Sequence, residues 1–509
     1  MPSFFRQVVN RFLRPFLLRL LRWTERTSPL SGPRSSVFLE REIHIPPAVV
    51  ALAVGAFLTL VLLSELGWGG RPLGAALILT GALVFLFAFY LRQDHPDILK
   101  DADAVALLGV LTVAGVLGTE VWLDWSRRQA WVSPYGLPLA GVSVLTAVLL
   151  HPRVAVVLTL VLSLMFGLLN AFSLEGALVV CFGGMAGIAR SVRARTRRDI
   201  LVAGAYIFVG KLAALGMLAL MGRLPEGTLG FGVKWAAVAS GASALLALGL
   251  LPFLEMFFSR LSDIRLLELS DVNHPLLKEM SVEAPGTYHH SLITASLAQA
   301  AAERLGANGL LCRVGAYFHD IGKLVKPEYF VENQGALGNP HELLPPNMSR
   351  IVIQAHVKDG LALGARYHLD RALTDFIAQH HGTSRVEYFY RRAIEQTDGA
   401  EDVDEDLYRY PGPRPRTKET AIVMLADSVE ASSRALDDPT HQRLTEHVNR
   451  IVDGKIVDGQ FDEVPLTLAE IQNVKDSFVN TLVGVYHTRV HYPTSHETDL
   501  EKRSATPPR

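Results

Sequence analysis

One short stretch of this chain, Tyr317-Phe318-His319-Asp320-Ile321-Gly322-Lys323, places a histidine directly beside an aspartate. The surrounding sequence is unusually rich in histidine, since nine of the 17 histidines lie between His274 and His381. Imidazole and carboxylate groups are the ligands that zinc, iron and manganese take from proteins. We therefore expect a metal site in this part of the chain.

Six further residues could join His319 and Asp320 in such a site. They are His289, His290, His356, His380, His381 and Asp427. One tetrahedral zinc needs only four ligands, so this number suggests two metal ions that share a bridging carboxylate. A lone histidine is more often a hydrogen-bonded core residue, but the joint occurrence of these residues on predicted helices favours metal. His341 and His368 lie in loop-like or less apolar surroundings, and we leave them out.

The composition divides the chain into two halves. At 509 residues it is too long for one ordinary domain, and its net charge of −1 excludes no class of partner. Long apolar runs extend from Pro46 to Phe258, whereas the chain from Arg260 onward is polar, charged and helical in pattern. Cys181 and Cys312 are expected to be free thiols, which leaves no disulfide framework and no cysteine-rich zinc module.

The apolar half predicts a membrane domain over 47–258, because a spanning helix needs about 20 mostly apolar residues. Eight candidate spans are found at roughly 47–66, 72–92, 103–123, 137–151, 153–170, 174–190, 200–221 and 231–258. A large buried helical core is the alternative, which the short polar links disfavour. Lys211 lies within a span, where it could line a ligand cavity, carry an ion path, pair with backbone carbonyls or snorkel towards the interface.

The arginines predict the orientation. The loop 190–198 contains five arginines, which indicates the cytoplasmic side. Counting eight spans from it places the N-terminus and the soluble half in the cytoplasm of a bacterium, with the chain in the inner membrane. Residues 1–46 are predicted to be a basic amphipathic segment that lies on the inner leaflet, with a disordered basic tail as the alternative. Residues 494–509 are polar and are expected to be disordered.

The soluble half, residues 259–493, shows helical periodicity and no strand alternation, so we expect an all-α domain. One predicted helix extends from Leu310 to Asp320, with Gly322 as its C′ residue. Asp427 lies in an otherwise apolar helical stretch, where an unpaired carboxylate would be costly. A bound metal ion would remove that cost.

Several phrases of the chain resemble, in order and spacing, the seven-transmembrane receptors with an intracellular HD domain, whose characterised members are cyclic di-AMP phosphodiesterases. The phrases are Glu283-Ala284-Pro285-Gly286-Thr287-Tyr288-His289-His290-Ser291, Gly315-Ala316-Tyr317-Phe318-His319-Asp320-Ile321-Gly322-Lys323, His356-Val357-Lys358-Asp359-Gly360, Gln379-His380-His381-Gly382-Thr383, Tyr410-Pro411-Gly412-Pro413 and Met424-Leu425-Ala426-Asp427-Ser428-Val429-Glu430. The resemblance covers about Pro72 to Pro493. It implies an all-α chain, in which a polytopic helical membrane domain precedes an HD-superfamily phosphohydrolase domain.

The resemblance also implies a ligand set for two metal ions. Asp320 would bridge them. One ion would take His290, His319 and Asp427, and the other would take His356, His380 and His381. His289 would be a neighbour and not a ligand. Nitrogen and oxygen ligands without thiolate suit iron or manganese, with zinc as a further candidate.

The implied activity is hydrolysis of cyclic di-AMP to linear pApA by a hydroxide that two metal ions activate. Lys323 could bind a phosphate oxygen, or could be a surface lysine just past a helix end. The expected partners are the cyclic dinucleotide and membrane lipid, but no nucleic acid polymer, and a homodimer is a further candidate that the sequence does not decide. One departure is that Gly67–Arg71 joins the first two spans directly, where the family usually carries a large extracytoplasmic domain.

Other functions remain open. Related enzymes for cyclic di-GMP carry Gly-Tyr-Pro after their His-His pair, where this chain has Gly382-Thr383-Ser384-Arg385. A guanosine tetraphosphate hydrolase is a weaker alternative, because such HD domains usually need fewer metal ligands than this chain offers. A membrane receptor whose HD domain only binds nucleotide is a third alternative, which the full ligand set disfavours.

Overall fold

The computed structural model describes residues 46–486, apart from 68, 226, 335–337, 397–402 and 437–438. Within these residues all regular secondary structure is helical, apart from a single antiparallel β-bridge between Arg385 and Arg409. The predicted all-α class is therefore confirmed. The predicted basic segment before Pro46 and the predicted tail after residue 493 lie outside the described residues.

The apolar half is a bundle of antiparallel helices, because successive apolar stretches are separated by short polar turns. The helices are α1 (Pro47–Leu66), α2 (Gly70–Asp94), α3 (Pro96–Lys100), α4 (Ala102–Arg128), α5 (Ala140–Leu149), α6 (Pro152–Leu169), α7 (Leu174–Ser191), α8 (Arg197–Leu220) and α9 (Leu229–Phe257). Seven of the described helices, all except α3 and α5, are long and apolar enough to cross a membrane.

The predicted span at 137–151 differs from the others. Its helix α5 has ten residues, which gives about 15 Å, or about half of the ~30 Å hydrocarbon core. The residues before α5 form a 3₁₀ turn and non-helical backbone, which cover the rest of the distance across the bundle. Gly136 packs against Trp235 near the start of α9, whereas His151 contacts His95 at the end of α2, with 4.4 Å between ring centroids. The described residues thus contain seven helices long enough to span a membrane, while the eighth segment crosses the bundle as a short helix preceded by irregular backbone.

Ion pairs mark the two ends of the bundle. At one end Arg260, just after α9, pairs with Asp101 before α4 at 2.5 Å. At the other end Arg127, in the last turn of α4, pairs with Glu65 in the last turn of α1 at 2.8 Å. The helices alternate in direction between these ends. The start of α1, the loop 192–196 and the start of the soluble half therefore lie at the same end.

Lys211 has a structural partner in the middle of the bundle. The residue is 1% exposed, and its ammonium group donates to the backbone carbonyls of Tyr135 and Leu137, at 3.1 and 3.2 Å. Gly183 makes room for it, because an added Cβ there would lie 2.8 Å from Lys211 Cγ. Non-helical backbone at membrane depth must find its hydrogen bonds inside the protein. Lys211 therefore pairs with backbone carbonyls, the third of the predicted roles.

The soluble half follows α9 after only five residues. Its helices are α10 (Asp263–Leu269), α11 (Pro275–Glu283), α12 (Pro285–Leu305), α13 (Gly309–Phe318), α14 (Pro346–Arg366), α15 (Arg371–Gln379), α16 (Glu387–Gln396), α17 (Lys418–Ser433), α18 (His441–Val457) and α19 (Leu468–Tyr486). One apolar core joins most of them, and it includes Leu297, Phe318, Phe376, Val423, Val448 and Phe478. Besides this covalent connection, an ion pair joins the soluble half to the membrane bundle. Arg197, at the start of α8, pairs with Glu268 on α10 at 2.8 Å.

Gly322 is not a helix C′ residue, and that prediction is wrong. Helix α13 ends at Phe318, and the chain continues as a 3₁₀ turn over Ile321–Val325. Gly322 does not have the positive φ of a helix-ending glycine. Its need for glycine is steric, because an added Cβ would lie 1.8 Å from the carbonyl oxygen of His356. The glycine lets this turn lie directly against α14.

Reporter fusions test the arrangement of the bundle. We expect reporters fused after Arg195 and after Pro493 to lie on the same side of the membrane, and one fused after Arg223 to lie on the opposite side. Paired alkaline phosphatase and green fluorescent protein fusions measure this. Reporters after Arg195 and Pro493 that lie on different sides would contradict the structure.

Substitution of Lys211 tests its structural role. Lys211→Met leaves two buried carbonyls without a donor, which should cost about 1–3 kcal/mol of stability. Thermal unfolding of the purified full chain in detergent measures the loss as a lower Tm. Lys234→Met serves as the control, because Lys234 is an exposed lysine on α9. Equal Tm values for the two variants would show that the Lys211 contacts contribute nothing.

Candidate metal centre

Seven of the predicted side chains meet at one point of the soluble half. His290 comes from α12, His319 and Asp320 follow α13, His356 comes from α14, His380 and His381 follow α15, and Asp427 comes from α17. Helices α12, α13, α15 and α17 pack through the same apolar core, which fixes the positions of the residues that they carry. The local pattern of apolar helices therefore brings together ligands that are up to 137 residues apart.

The first group of side chains consists of His290, His319, Asp320 and Asp427. Each offers a ligand atom, and these atoms all lie within 4.8 Å of one another. His290 Nε2 is 3.0 Å from Asp427 Oδ1, and His319 Nε2 is 3.3 Å from Asp320 Oδ2. All four residues are buried. Two nitrogen and two oxygen donors at this spacing can surround one divalent cation.

The second group consists of Asp320, His356, His380 and His381, again with ligand atoms within 4.8 Å of one another. The Nε2 atoms of His356 and His380 are 3.2 Å apart. Asp320 Oδ1 lies 3.4 and 3.5 Å from them. Two imidazole lone pairs that face each other repel unless a proton or a cation lies between them. Asp320 belongs to both groups and offers a different oxygen to each.

Backbone hydrogen bonds set the tautomers of the histidines. His319, His356 and His380 each donate Nδ1–H to the carbonyl three residues earlier, at 2.7, 2.5 and 2.9 Å. A neutral imidazole whose Nδ1 donates has its lone pair on Nε2. In all three residues Nε2 faces the centre of the cluster. A hydrogen bond from Nδ1 to a carbonyl is the contact that orients metal-binding histidines.

The buried carboxylates require positive charge. Among the described residues, no group donates a well-directed hydrogen bond to either oxygen of Asp320, although the Lys323 ammonium lies 2.7 Å from Oδ2. Burial alone would raise the pKa of Asp320, but Lys323 and His319 hold it well below its usual range. Burial alone would lower the pKa of His319, but Asp320 and Asp427 raise it to about 10. The donor set and these unsatisfied oxygens fit divalent cations.

Lys323 is not a surface lysine, so that alternative is wrong. Its side chain is 12% exposed and forms ion pairs with Asp320 and Glu332, both at 2.7 Å. Its ammonium also lies 5.1 Å from the ring centroid of Phe330. In this structure its charge is shared between two carboxylates.

The histidines outside the predicted ligand set lie outside the cluster. His289 is exposed on α12, and His368 is exposed after α14. His341 is buried but donates Nε2–H to the carbonyl of Tyr329 at 2.9 Å, and its ring is tilted against that of Phe389, with 4.9 Å between the centroids. None of the three belongs to either group of ligand atoms.

Two residues that touch the cluster were not assigned a role from the sequence. Glu430 accepts a hydrogen bond from His290 Nδ1 and is held by Arg434 at 2.6 Å. Tyr410 stacks on His381 with 4.3 Å between ring centroids. Glu430 follows Asp427 by three residues on one helix, and this spacing places both on the same face. That spacing was a usable signal, whereas the stacking of Tyr410 depends on tertiary structure alone.

Both halves of the chain match known protein families. Residues 71–262 match the family described as 7TM receptor with intracellular HD hydrolase. Residues 287–432 match the HD domain family. The second match includes all seven clustered residues.

Comparison with individual proteins gives relatives of the same kind. The chain is 35% identical over 431 residues to cyclic-di-AMP phosphodiesterase PgpH of Bacillus subtilis (strain 168), covering 83% of this chain and 60% of that protein. It is 46% identical over 249 residues to cyclic-di-AMP phosphodiesterase PgpH of Listeria monocytogenes serotype 1/2a (strain 10403S), covering 49% of this chain and 34% of that protein. The chain thus spans only part of the length of both relatives.

Among solved structures, the chain is similar to the HD domain of L. monocytogenes PgpH in complex with cyclic di-AMP. The identity is 46% and the TM-score is 0.41, with 43% of this chain and 100% of that chain covered. The order of the domains, the two family matches and the identities to PgpH proteins confirm the resemblance seen in the sequence. The chain belongs to the family of 7TM receptors with an intracellular HD hydrolase.

Proposed function

We propose that this protein is a membrane-anchored, metal-dependent phosphodiesterase that hydrolyses cyclic di-AMP to linear pApA. The observation that carries the proposal is the pair of ligand groups that share Asp320. Two adjacent cation sites with a common carboxylate are the arrangement that phosphodiester hydrolysis uses. The choice of cyclic di-AMP is supported by the relatives, which are named as phosphodiesterases for that molecule.

In this proposal His290, His319 and Asp427 hold one ion, and His356, His380 and His381 hold the other, with Asp320 between them. Iron or manganese suits these nitrogen and oxygen donors, with zinc as a further candidate. When bound, the two ions supply positive charge to the phosphodiester and lower the pKa of water, so that it can act as the nucleophile. One water is consumed, a phosphorus–oxygen bond breaks, and the product carries a new 5′-phosphate and a new 3′-hydroxyl.

The residues of the chain prepare the site for this reaction. Lys323 pairs with Asp320 and Glu332 and so places a positive charge beside the cluster. Glu430 orients His290 through its Nδ1. The His381 side chain is 22% exposed and that of Asp427 is 9% exposed, whereas His319 is fully buried. The substrate therefore enters past His381 and Asp427, and the rest of the cluster is shielded from bulk water.

The orientation of the chain is part of the same proposal. The loop 192–196 and the soluble half lie at one end of the bundle, and the five arginines of 190–198 favour the cytoplasm for that end. We therefore place the HD domain in the bacterial cytoplasm, at the inner face of the inner membrane. A cytoplasmic dinucleotide would reach it directly.

Metal content tests the ligand assignment. Asp320→Ala should remove both metals, or leave one weakly bound, because it removes the shared carboxylate. His289→Ala is the matched control, since His289 lies next to a ligand but is exposed. Elemental analysis of the purified full chain in detergent measures both. Similar metal loss in the two variants would contradict the assignment.

Substrate cleavage tests the function. The purified full chain with manganese or reduced iron should convert cyclic di-AMP to pApA, and it should act more slowly on cyclic di-GMP. His380→Ala should lower the rate by at least about 100-fold, because it removes a ligand. Chromatography of the products measures both.

A wild-type chain loaded with two metals that spares cyclic di-AMP but cleaves another nucleotide would overturn the substrate. Cyclic di-GMP and guanosine tetraphosphate are the rivals to include. A chain that binds these nucleotides and cleaves none would support a receptor without catalysis.

A further inference from the structure

We propose that the ammonium group of Lys455 binds the second phosphodiester of the substrate, the one that is not at the metal ions. This inference rests on the proposed function, because a cyclic dinucleotide carries two phosphodiester groups. Lys455 lies in the last turn of α18, far in sequence from the seven ligands. Neither its spacing nor its neighbours in the sequence indicate a role.

The position of Lys455 is fixed by Ser384. The Lys455 ammonium donates to Ser384 Oγ at 2.7 Å. Ser384 follows the His-His pair, and its backbone N–H donates to the carbonyl of His381 at 3.0 Å. Ser384 also accepts a hydrogen bond at its own carbonyl from the backbone of Tyr410, the residue that stacks on His381. Lys455 therefore borders the side of the cluster where His381 is accessible.

Electrostatic contacts agree with this position. Burial lowers the pKa of Lys455, while Asp427 of the metal centre and Asp458 act in the opposite direction. Asp427 is the more exposed of the two clustered carboxylates, although both are buried. The ammonium is therefore close enough to Asp427 to be attracted by it, and Lys455 keeps some solvent exposure.

Lys455 differs from the other cations around the site in having no carboxylate partner. Lys323 is paired with two carboxylates. Arg409 is paired with Glu405 and Asp458, at 2.7 and 3.0 Å. Lys455 forms no ion pair within the described residues, and Ser384 uses only one of its three N–H donors.

The second phosphodiester of the substrate carries a charge that the Lys455 ammonium can compensate. Each phosphodiester of a cyclic dinucleotide carries one negative charge. The metal ions would neutralise the one that is cleaved, and the other would enter the mouth of the site with its charge uncompensated. A partly buried lysine with free donors is a suitable counter-charge for a phosphate oxygen. Lys455 would contribute to substrate binding, so its loss should change KM more than kcat.

Two substrates separate this role from a general effect on the site. The full chain with manganese is assayed on cyclic di-AMP and on bis(4-nitrophenyl) phosphate, which has a single phosphodiester. Lys455→Met should raise KM for cyclic di-AMP by about 10-fold. The ratio of kcat/KM for cyclic di-AMP to that for the simple ester should fall by a similar factor. Lys455→Arg should restore most of it, because the charge returns.

Lys475→Met is the matched control. Lys475 is also largely buried and contacts the same helix, through an ion pair with Asp453 at 2.6 Å, but it does not border the mouth. Its substitution should leave the ratio unchanged. Metal content and Tm are measured for all variants, so that a damaged fold is recognised.

Two results would overturn the assignment of Lys455 alone. One is an unchanged ratio in Lys455→Met, and the other is a fall equal to that in Lys475→Met. The proposed function fails in a different way. A wild-type chain that cleaves the simple ester but no cyclic dinucleotide would overturn that function, and the assignment of Lys455 with it.

Discussion

The burial of Asp320 is the constraint on which the arrangement of the soluble half depends. A carboxylate with 1% exposure is very costly unless positive charge lies beside it. The 3₁₀ turn after α13 brings Lys323 back to within 2.7 Å of Asp320, and Gly322 lets that turn lie against α14. The packing of the backbone and the charge of the site are therefore determined together.

The same constraint explains why the histidines have their observed orientations. Each Nδ1 of His319, His356 and His380 is occupied by a carbonyl of its own helix. The Nε2 atoms must then face the shared carboxylate and one another. Each helix offers the carbonyl three residues before its histidine without any further residue, so the site is organised largely by secondary structure.

The concentration of histidines around His319 and Asp320 predicted a metal site, and the family resemblance then implied which seven residues belong to it. The sequence could not predict Lys455, which is 74 residues beyond His381 and approaches only through Ser384. It also predicted an eighth spanning helix, since the residues are apolar enough. Pro134, Gly136 and Pro138 shorten that helix, and composition alone does not show that Lys211 compensates for the lost hydrogen bonds.

The short connection between the two halves limits how the catalytic domain can move. Five residues between Phe257 and Asp263 reach at most about 18 Å when extended. In a membrane the domain would be confined to a thin layer beside the lipid headgroups and could diffuse only in two dimensions. Encounter with a soluble substrate would then depend on the diffusion of the small molecule, and the local concentration at the membrane surface would set the rate of capture.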